Sequence, residues 1–231
     1  MMTSLAGAPI HDLPELREKT GVFRDRIHAG KVLAEMMQKW RHSDAIVMAI
    51  PAGGVPVAAQ IARELGVPLD VVVVSKLLLP WNSESGFGAV GPDGKVWLNH
   101  DYLGHLGLDE ATIQRAASAA CAKVARRVRR FRGEQPLPNL DNRPVIVVDD
   151  GIAAGSTLRT AVTFLRNKGA THIIVAVPTA HKESLPVIAS QVEEIYCPNI
   201  RSGTPFAVAD AYLRWRDVEE TEVDTLLRDS N

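Results

Sequence analysis

Two adjacent carboxylates, Asp149 and Asp150, directly follow a run of four apolar residues, Val145–Val148. A loop of small residues comes next and leads into a segment with helical spacing that begins at Ser156. Small side chains let backbone N–H groups approach an anion, and the first N–H groups of a helix are unpaired and favour negative charge. The run therefore predicts a phosphate site, with both carboxylates close to the hydroxyls of a sugar attached to that phosphate.

This phosphate site needs no lysine, because serine and threonine hydroxyls at the helix start can donate to the same anion. A P-loop would require Gly-Lys-Ser/Thr and a dinucleotide fingerprint would require GxGxxG after the strand, and neither occurs here. The alternative is an ordinary strand-to-helix turn, but adjacent carboxylates at the end of a buried strand are costly without partners. We expect phosphate to be bound by Ala153, Ala154, Gly155, Ser156 and Thr157.

The same run resembles the phosphoribosyl pyrophosphate motif of type I phosphoribosyltransferases: four apolar residues, two acidic residues, a few small residues, then Gly and Ser or Thr. The order of elements from Ala45 to Tyr196 is also similar to that fold, so the resemblance covers most of the chain. The whole chain is most similar to an uncharacterised branch described only as predicted phosphoribosyltransferases.

The resemblance implies a transferase that moves the 5-phosphoribosyl group from phosphoribosyl pyrophosphate to a nitrogenous acceptor, such as a nucleobase, and releases pyrophosphate. Mg²⁺ is the implied cofactor, held through the pyrophosphate and ribose. By the same resemblance, Asp149 and Asp150 bind the ribose hydroxyls and are candidate contacts of the metal. The implied setting is nucleotide metabolism, in particular nucleotide salvage.

One position departs from the pattern of members that act on 6-oxopurines. Those members carry an acidic residue three positions after the second acid, where this chain has Ala153. A hypoxanthine or guanine enzyme with that proton-handling carboxylate is therefore disfavoured. If a carboxylate handles a proton, our candidate is Glu84, in a segment (77–93) that resembles the mobile loop covering the site in this family. Closure would exclude water from the activated sugar, and the alternative is an ordinary surface loop.

The first predicted strand ends in a Pro-Ala-Gly-Gly sequence, and paired glycines suit close backbone approach and unusual dihedral angles. By resemblance this loop grips pyrophosphate through backbone amides, often with a cis non-proline peptide; the alternative is a plain turn. A basic residue at the end of the second strand is a further candidate, with a solvated lysine as the alternative. The candidate pyrophosphate residues are Ala52, Gly53, Gly54 and Lys76. Arg24 and Arg26 are candidate contacts of the ligand phosphates or the base pocket, because cations at a helix start are mildly unfavourable; a solvated helix start is the alternative and is slightly favoured.

A predicted helix from Asp109 to about Phe131 carries a dense basic face. A solvated face is the ordinary interpretation, and a surface for nucleic acid or an acidic partner is the sharper one. This face alone favours a phosphoribosyl pyrophosphate-sensing regulator that binds RNA or DNA; no added nucleic-acid module is recognisable, so such a partner is disfavoured. A phosphatase or phosphorolytic enzyme with the same phosphate site is the third alternative. The basic residues are Lys123, Arg126, Arg127, Arg129, Arg130 and Arg132.

Strands and helices alternate from Ala45 to Cys197, which predicts parallel βαβ units in an α/β fold with a doubly wound, mainly parallel five-stranded sheet. We expect one domain, 1–231, with a core of about 40–197 and a small hood from about 1–30 and 198–231 that contacts the acceptor. Residues 1–20 are expected to be irregular. The predicted strands are 45–50, 69–74, 143–148, 171–177 and 193–196, with an inserted hairpin at 87–98.

The composition is that of a globular protein, with 46% apolar and 23% charged residues in 231, and a net charge of −1. Such a charge gives no global attraction to nucleic acid or anionic membrane. Cys121 and Cys197 form no CxxC pair, and no signal peptide or membrane-length apolar run is recognisable. A cytoplasmic protein with no membrane partner is expected, and a homodimer is compatible with the sequence. The seven histidines show no metal-binding spacing.

Overall fold

A computed structural model of the chain describes residues 7–98 and 100–230, apart from the side chains of 82–85 and 100–102. Its core is a sheet flanked by helices. The strands are β1 (Ile10–His11), β2 (Ile46–Ala49), β3 (Leu69–Val71), β4 (Ser75–Leu79), β5 (Asn82–Val90), β6 (Val96–Leu98), β7 (Pro144–Val148), β8 (His172–Ala176), β9 (Thr179–His181), β10 (Glu194–Tyr196) and β11 (Asn199–Arg201).

The α-helices are α1 (Arg26–Met36), α2 (Gly54–Leu65), α3 (His100–Leu106), α4 (Glu110–Arg132), α5 (Ser156–Asn167), α6 (Leu185–Ala189) and α7 (Glu220–Asp229). The predicted boundaries of α4 and α2 are confirmed. Asp109 accepts a hydrogen bond from the backbone N–H of Thr112 at the start of α4, and Gly66 closes α2 in a left-handed conformation. No helix among the described residues is long and apolar enough to cross a membrane.

The central sheet is wholly parallel, with the strand order β1-β10-β8-β7-β2-β3. Alternate side chains of β2 enter two separate cores, one on each face of the sheet. Val47 and Ala49 pack with α2, whereas Ile46 and Met48 pack with α5. The sheet is thus covered by helices on both faces, and its strands are apolar on both sides as such burial requires. The prediction of a doubly wound α/β fold is therefore confirmed.

The sheet has six strands rather than the five predicted. The additional strand is β1, whose two residues lie in the part of the chain that was expected to be irregular. Ile10 pairs with Ile195 and His11 with Tyr196, so β1 extends the sheet beside β10. Two exposed residues carry no periodic pattern, because their strand conformation comes from the neighbouring strand rather than from their own sequence.

The second predicted strand, 69–74, is divided in the structure. The parallel ladder ends near Val72, whose N–H donates to Ala49 O at 2.9 Å, and the chain then leaves the sheet. β4, β5 and β6 form a separate antiparallel sheet in that order. The predicted hairpin at 87–98 is confirmed, but most of the expected mobile loop, 77–93, consists of strand residues. Leu77 and Phe87 are buried at 0% exposure, and this packing explains why the segment is not an open loop.

The two segments that were predicted to form the hood pack against each other. Phe23 N donates to Ala211 O at 2.9 Å, and Leu213 N donates to Phe23 O at 2.8 Å. Phe23 and Tyr212 also form an isolated parallel bridge, and their rings lie 5.8 Å apart. The short parallel pair β9–β11 adjoins this region. Residues near both ends of the chain therefore form one surface, although they are about 190 positions apart.

Carboxylates of the same chain neutralise much of the basic face of α4. Glu220, at the start of α7, lies 2.6 Å from Arg126 and 2.8 Å from Arg127, and Asp224 lies 2.8 Å from Arg130. Arg132 pairs with Asp70 on β3. Four of the six basic residues are thus paired internally, so the acidic partner of this face is α7 together with β3. This internal pairing favours the ordinary interpretation of the face, and the absence of a nucleic-acid partner stays a prediction.

We predict that Glu220 contributes to stability in a pH-dependent way. Hydrogen bonds from Arg126 and Arg127 lower the pKa of Glu220 from 4.5 to about 2. A lowered folded-state pKa means that the stabilisation is present above the unfolded-state pKa and is lost as pH falls from about 4.5 towards 2. The shift corresponds to at most about 3 kcal/mol.

Urea unfolding at neutral pH and at about pH 3 measures this contribution. Glu220→Gln is expected to be less stable than the unmodified protein at neutral pH, with the difference shrinking in acid. The same substitution at Glu35, an exposed residue of α1, is the matched control. If the unmodified protein and Glu220→Gln lose equal stability on acidification, the prediction is contradicted.

Candidate active site

The two acidic residues lie at the carboxyl end of β7, in the middle of the parallel sheet. Ile50 N donates to Val148 O at 2.8 Å, so the loop after β2 begins beside the last residue of β7. In open α/β sheets, ligands bind outside the carboxyl ends of the strands. Asp149 and Asp150 therefore occupy the edge at which a ligand site is expected.

Asp149 lies in a low-dielectric position beside a second carboxylate. Its Oδ1 accepts a hydrogen bond from Asp150 N at 2.9 Å. Burial raises the pKa of Asp149 well above its ordinary value, and the negative charge of Asp150 raises it further. The positive charge of Lys76 acts in the opposite direction. An additional cation or hydrogen-bond donor near Asp149 would favour its ionised form.

Asp150 is held by an arginine from the N-terminal segment. The guanidinium of Arg26 contacts Asp150 Oδ2 through Nε at 2.9 Å and through Nη2 at 2.8 Å. The hydroxyl of Tyr212 donates to the backbone oxygen of Asp150 at 2.6 Å. The two acids therefore have different surroundings: Asp150 has a cationic partner, whereas Asp149 is next to a negative charge.

The predicted phosphate site forms the turn between β7 and α5. Gly155 caps the helix in a left-handed conformation with φ +75°, and α5 begins at Ser156 as expected. The first N–H groups of such a helix have no intrahelical acceptor. Ala153 and Ala154 are exposed, while Thr157 Oγ1 is buried and has no hydrogen-bond partner among the described residues. A buried unpaired hydroxyl beside free N–H groups is suited to an anion.

The Pro-Ala-Gly-Gly loop contacts the acidic pair. Its Pro51–Ala52 peptide bond is cis, as the resemblance implied. A Cβ atom on Gly53 would lie 2.0 Å from Asp150 Oδ2, and one on Gly54 would lie 2.7 Å from Val148 O. Only glycine fits at these two positions, because any side chain would displace the acids or the strand that carries them. The loop leads into α2, and Gly54 N already donates to Ile50 O at 3.0 Å, so the amides of Ala52 and Gly53 are the candidate donors to an anion.

The predicted site residues reach this edge to different extents. Lys76 lies on β4, not at the end of a strand of the central sheet, yet its charge acts on Asp149. Arg24 is exposed, and its described contacts are made by the backbone, where Arg24 O accepts from Arg214 N at 2.9 Å. Glu84 is a β5 residue whose side chain lies outside the described part of the structure. The ligand-binding roles of all three stay predictions.

Three contacts near the site were not expected from the sequence. The ring centroid of Trp215 lies 3.8 Å from Arg26 Cζ, and Tyr212 holds the backbone of Asp150. Ser184 donates to Ala153 O in the phosphate-binding turn. Aromatic residues are only 5% of the chain, so the aromatic residues of 212–215 were an available signal in an otherwise polar C-terminal stretch.

A cavity of about 330 Å³ adjoins Arg26 and is lined by residues from both hood segments. Asp25, Arg26 and Ile27 contribute from the start of α1, and Trp215 and Arg216 contribute from the C-terminal segment. Trp215 is 41% exposed and presents an aromatic surface beside two arginines. The cavity lies next to the acidic pair, because Arg26 lines it and contacts Asp150.

Comparison with known proteins agrees with this geometry. Residues 98–211 match the phosphoribosyl transferase domain. Two Mycobacterium tuberculosis proteins, from strains CDC 1551 and H37Rv, each named "Putative phosphoribosyl transferase", are 36% identical over 210 residues, which cover 89% of this chain and 46% of theirs. The chain thus spans about half the length of these curated relatives. The solved structure of TT1426 from Thermus thermophilus is 33% identical, has a TM-score of 0.71 and covers 90% of this chain and 98% of that chain.

A parallel sheet with an acidic pair at its carboxyl edge, followed by a small-residue turn into a helix, defines an α/β protein of the phosphoribosyltransferase class. The chain belongs to the phosphoribosyltransferase family.

Proposed function

We propose that this chain transfers the 5-phosphoribosyl group from phosphoribosyl pyrophosphate to a nitrogen atom of a heterocyclic acceptor. The observation that carries the proposal is the arrangement of two acids, a phosphate-binding turn and a glycine-rich loop around one sheet edge. The 5′-phosphate would bind at 153–157 and the ribose hydroxyls at Asp149 and Asp150. The pyrophosphate would lie against residues 52–54, with Lys76 nearby.

In the proposed reaction, the acceptor nitrogen forms a bond to the anomeric carbon while the bond from that carbon to pyrophosphate breaks. The acceptor loses one proton, and Glu84 is the candidate base. The protein acts mainly by positioning the two reactants and by stabilising the charge that develops between them. Ala153 replaces the acid that 6-oxopurine enzymes carry, so an acceptor that needs that carboxylate is disfavoured.

Mg²⁺ fits the donor groups of this edge. Asp149 supplies a carboxylate oxygen, the hard ligand that Mg²⁺ favours, and its raised pKa means that a nearby cation would stabilise its ionised form. When bound with the substrate, the ion would neutralise the pyrophosphate leaving group. Asp150 is the less available of the two acids for a metal, because Arg26 already holds one of its oxygens.

We predict that β4 and β5 close over the site when ligand binds. The exposed turn between them contains Trp81, which is 64% exposed, while the hairpin base is buried at Leu77 and Phe87. Amide hydrogen exchange is expected to be fast in the exposed turn around Trp81 in the free protein and slower there with phosphoribosyl pyrophosphate and Mg²⁺. The buried strand β7 is the internal control. Strong and equal protection of 77–93 in both states would show that the segment is a fixed part of the fold.

A nucleobase screen tests the proposed function. The protein is incubated with phosphoribosyl pyrophosphate, Mg²⁺ and one base at a time, and pyrophosphate release is measured. Release that depends on one base, together with formation of the matching nucleotide, is the expected result. Phosphate release without any acceptor would instead indicate a phosphatase, and no reaction with tight phosphoribosyl pyrophosphate binding would indicate a sensor.

A further inference from the structure

Arg26 and Asp150 form an ion pair between parts of the chain that are 124 residues apart. Both contacts from the guanidinium, Nε at 2.9 Å and Nη2 at 2.8 Å, go to the same oxygen, Oδ2. The side chains are only 10% and 17% exposed. An ion pair with this little solvent is screened weakly, so removing one partner would leave the other with an uncompensated charge.

Arg26 is itself fixed by the C-terminal segment. Its third nitrogen, Nη1, donates to the backbone oxygen of Arg216 at 2.8 Å. Its guanidinium lies over the ring of Trp215, with 3.8 Å between Cζ and the ring centroid. A planar guanidinium suits this combination of two donors to one carboxylate oxygen, a carbonyl contact and an aromatic face, and a lysine ammonium does not. Arg26 therefore has one defined position, and Asp150 Oδ2 is held in place by it.

The two oxygens of Asp150 have different environments. Oδ2 faces Arg26 on one side and Gly53 on the other, where a Cβ atom would lie only 2.0 Å away. Both contacts from Arg26 leave Oδ1 untouched. The carboxylate is therefore anchored through one oxygen, which leaves the other free to accept a hydrogen bond from a ligand.

We propose that Arg26 is a positioning residue that orients Asp150 for a ribose hydroxyl of phosphoribosyl pyrophosphate and makes that orientation depend on the C-terminal segment through Trp215. The inference rests on the proposed function, because it assumes that the ligand is phosphoribosyl pyrophosphate. Arg26 does not need to touch the ligand. It holds the charge and rotamer of Asp150, which would otherwise turn away from the neighbouring negative charge of Asp149.

Calorimetric titration of phosphoribosyl pyrophosphate with Mg²⁺ into the full chain and its variants tests the inference. Arg26→Gln is expected to raise the dissociation constant by about tenfold or more. It removes the charge-assisted hydrogen bonds that hold Asp150 in the orientation for the ligand. Arg26→Lys keeps the charge and is expected to recover part of the affinity. Trp215→Leu removes the aromatic face at a half-exposed position and is expected to weaken binding several-fold, with the fold retained.

Arg132→Gln is the matched control, because Arg132 is 8% exposed and pairs with Asp70 away from the acidic pair. It removes a similarly buried ion pair, so it reports the effect of lost stability alone, and its dissociation constant is expected to stay within about twofold of that of the unmodified protein. If Arg26→Gln does not fold, Arg26→Lys and Trp215→Leu carry the test.

The positioning role would be overturned by unchanged affinity in both Arg26 variants. If Arg26→Gln does not fold, unchanged affinity in both Arg26→Lys and Trp215→Leu would overturn it. Tighter binding in Arg26→Gln would also overturn it, because Arg26 would then compete with the ligand for Asp150. In both cases the unmodified protein still binds, so the proposed function stands. If the unmodified protein itself binds no phosphoribosyl pyrophosphate, the proposed function fails and the inference fails with it.

Discussion

Replacement of both Asp149 and Asp150 by asparagine is expected to reduce phosphoribosyl pyrophosphate affinity strongly while the protein remains folded. Each lost charge-assisted hydrogen bond contributes roughly 1.5–3 kcal/mol, so the double variant should lose binding by at least two orders of magnitude. Calorimetric titration with Mg²⁺ present measures the loss. Asp44→Asn, at an exposed position before β2, is the control for removal of a negative charge.

The two single variants are expected to differ in stability. The folded-state pKa of Asp149 is raised, so its ionised form costs stability at neutral pH, and Asp149→Asn should leave the free energy of unfolding unchanged or higher. Asp150→Asn removes the partner of Arg26, so it should lower that free energy. A loss of binding without a loss of stability in Asp149→Asn would mark a residue kept for function. Unchanged ligand affinity in the double variant would remove the basis of the proposed site.

The parts of this structure that were predictable from sequence are those whose signals are local. Four of the five predicted strands contain an apolar run, and the acidic pair and the phosphate-binding turn are contiguous in the chain. The helix start at Ser156 also follows from neighbouring residue types. The cis peptide at Pro51–Ala52 followed only from the resemblance to a family.

The parts that were not predictable depend on residues far apart in sequence. Arg26 was expected to contact a ligand, yet its partner is Asp150, and no pattern near Arg26 indicates this pairing. The arginines of α4 gave a pattern typical of a solvated face or a nucleic-acid surface, and their carboxylate partner Glu220 lies about 94 positions away. Charges are matched by tertiary structure, so one segment alone does not show whether its charge is compensated.

Gly155→Val is expected to abolish binding of even a simple anion such as sulfate at residues 153–157. Gly155 has φ +75°, a conformation that costs a residue with a side chain roughly 1–2 kcal/mol and is worst for a β-branched one. A Cβ atom there would also lie 3.2 Å from Ile188 Cδ1 and 3.5 Å from Ile152 Cγ2. The turn must therefore change its conformation, and the N–H groups that precede Ser156 would no longer converge on the anion.

Two comparisons separate this loss from general destabilisation. Gly94→Val places the same side chain at the same φ of +75°, in a hairpin turn where no atom lies within 4 Å of its Cβ. It should cost about as much backbone strain as Gly155→Val and still bind the anion at 153–157. Ser156→Ala removes one hydroxyl and should weaken binding by only about 0.5–1.5 kcal/mol. Crystals of each variant soaked in sulfate give the readout. Sulfate at 153–157 in Gly155→Val, or only elsewhere in the unmodified protein, would show that this turn does not bind phosphate.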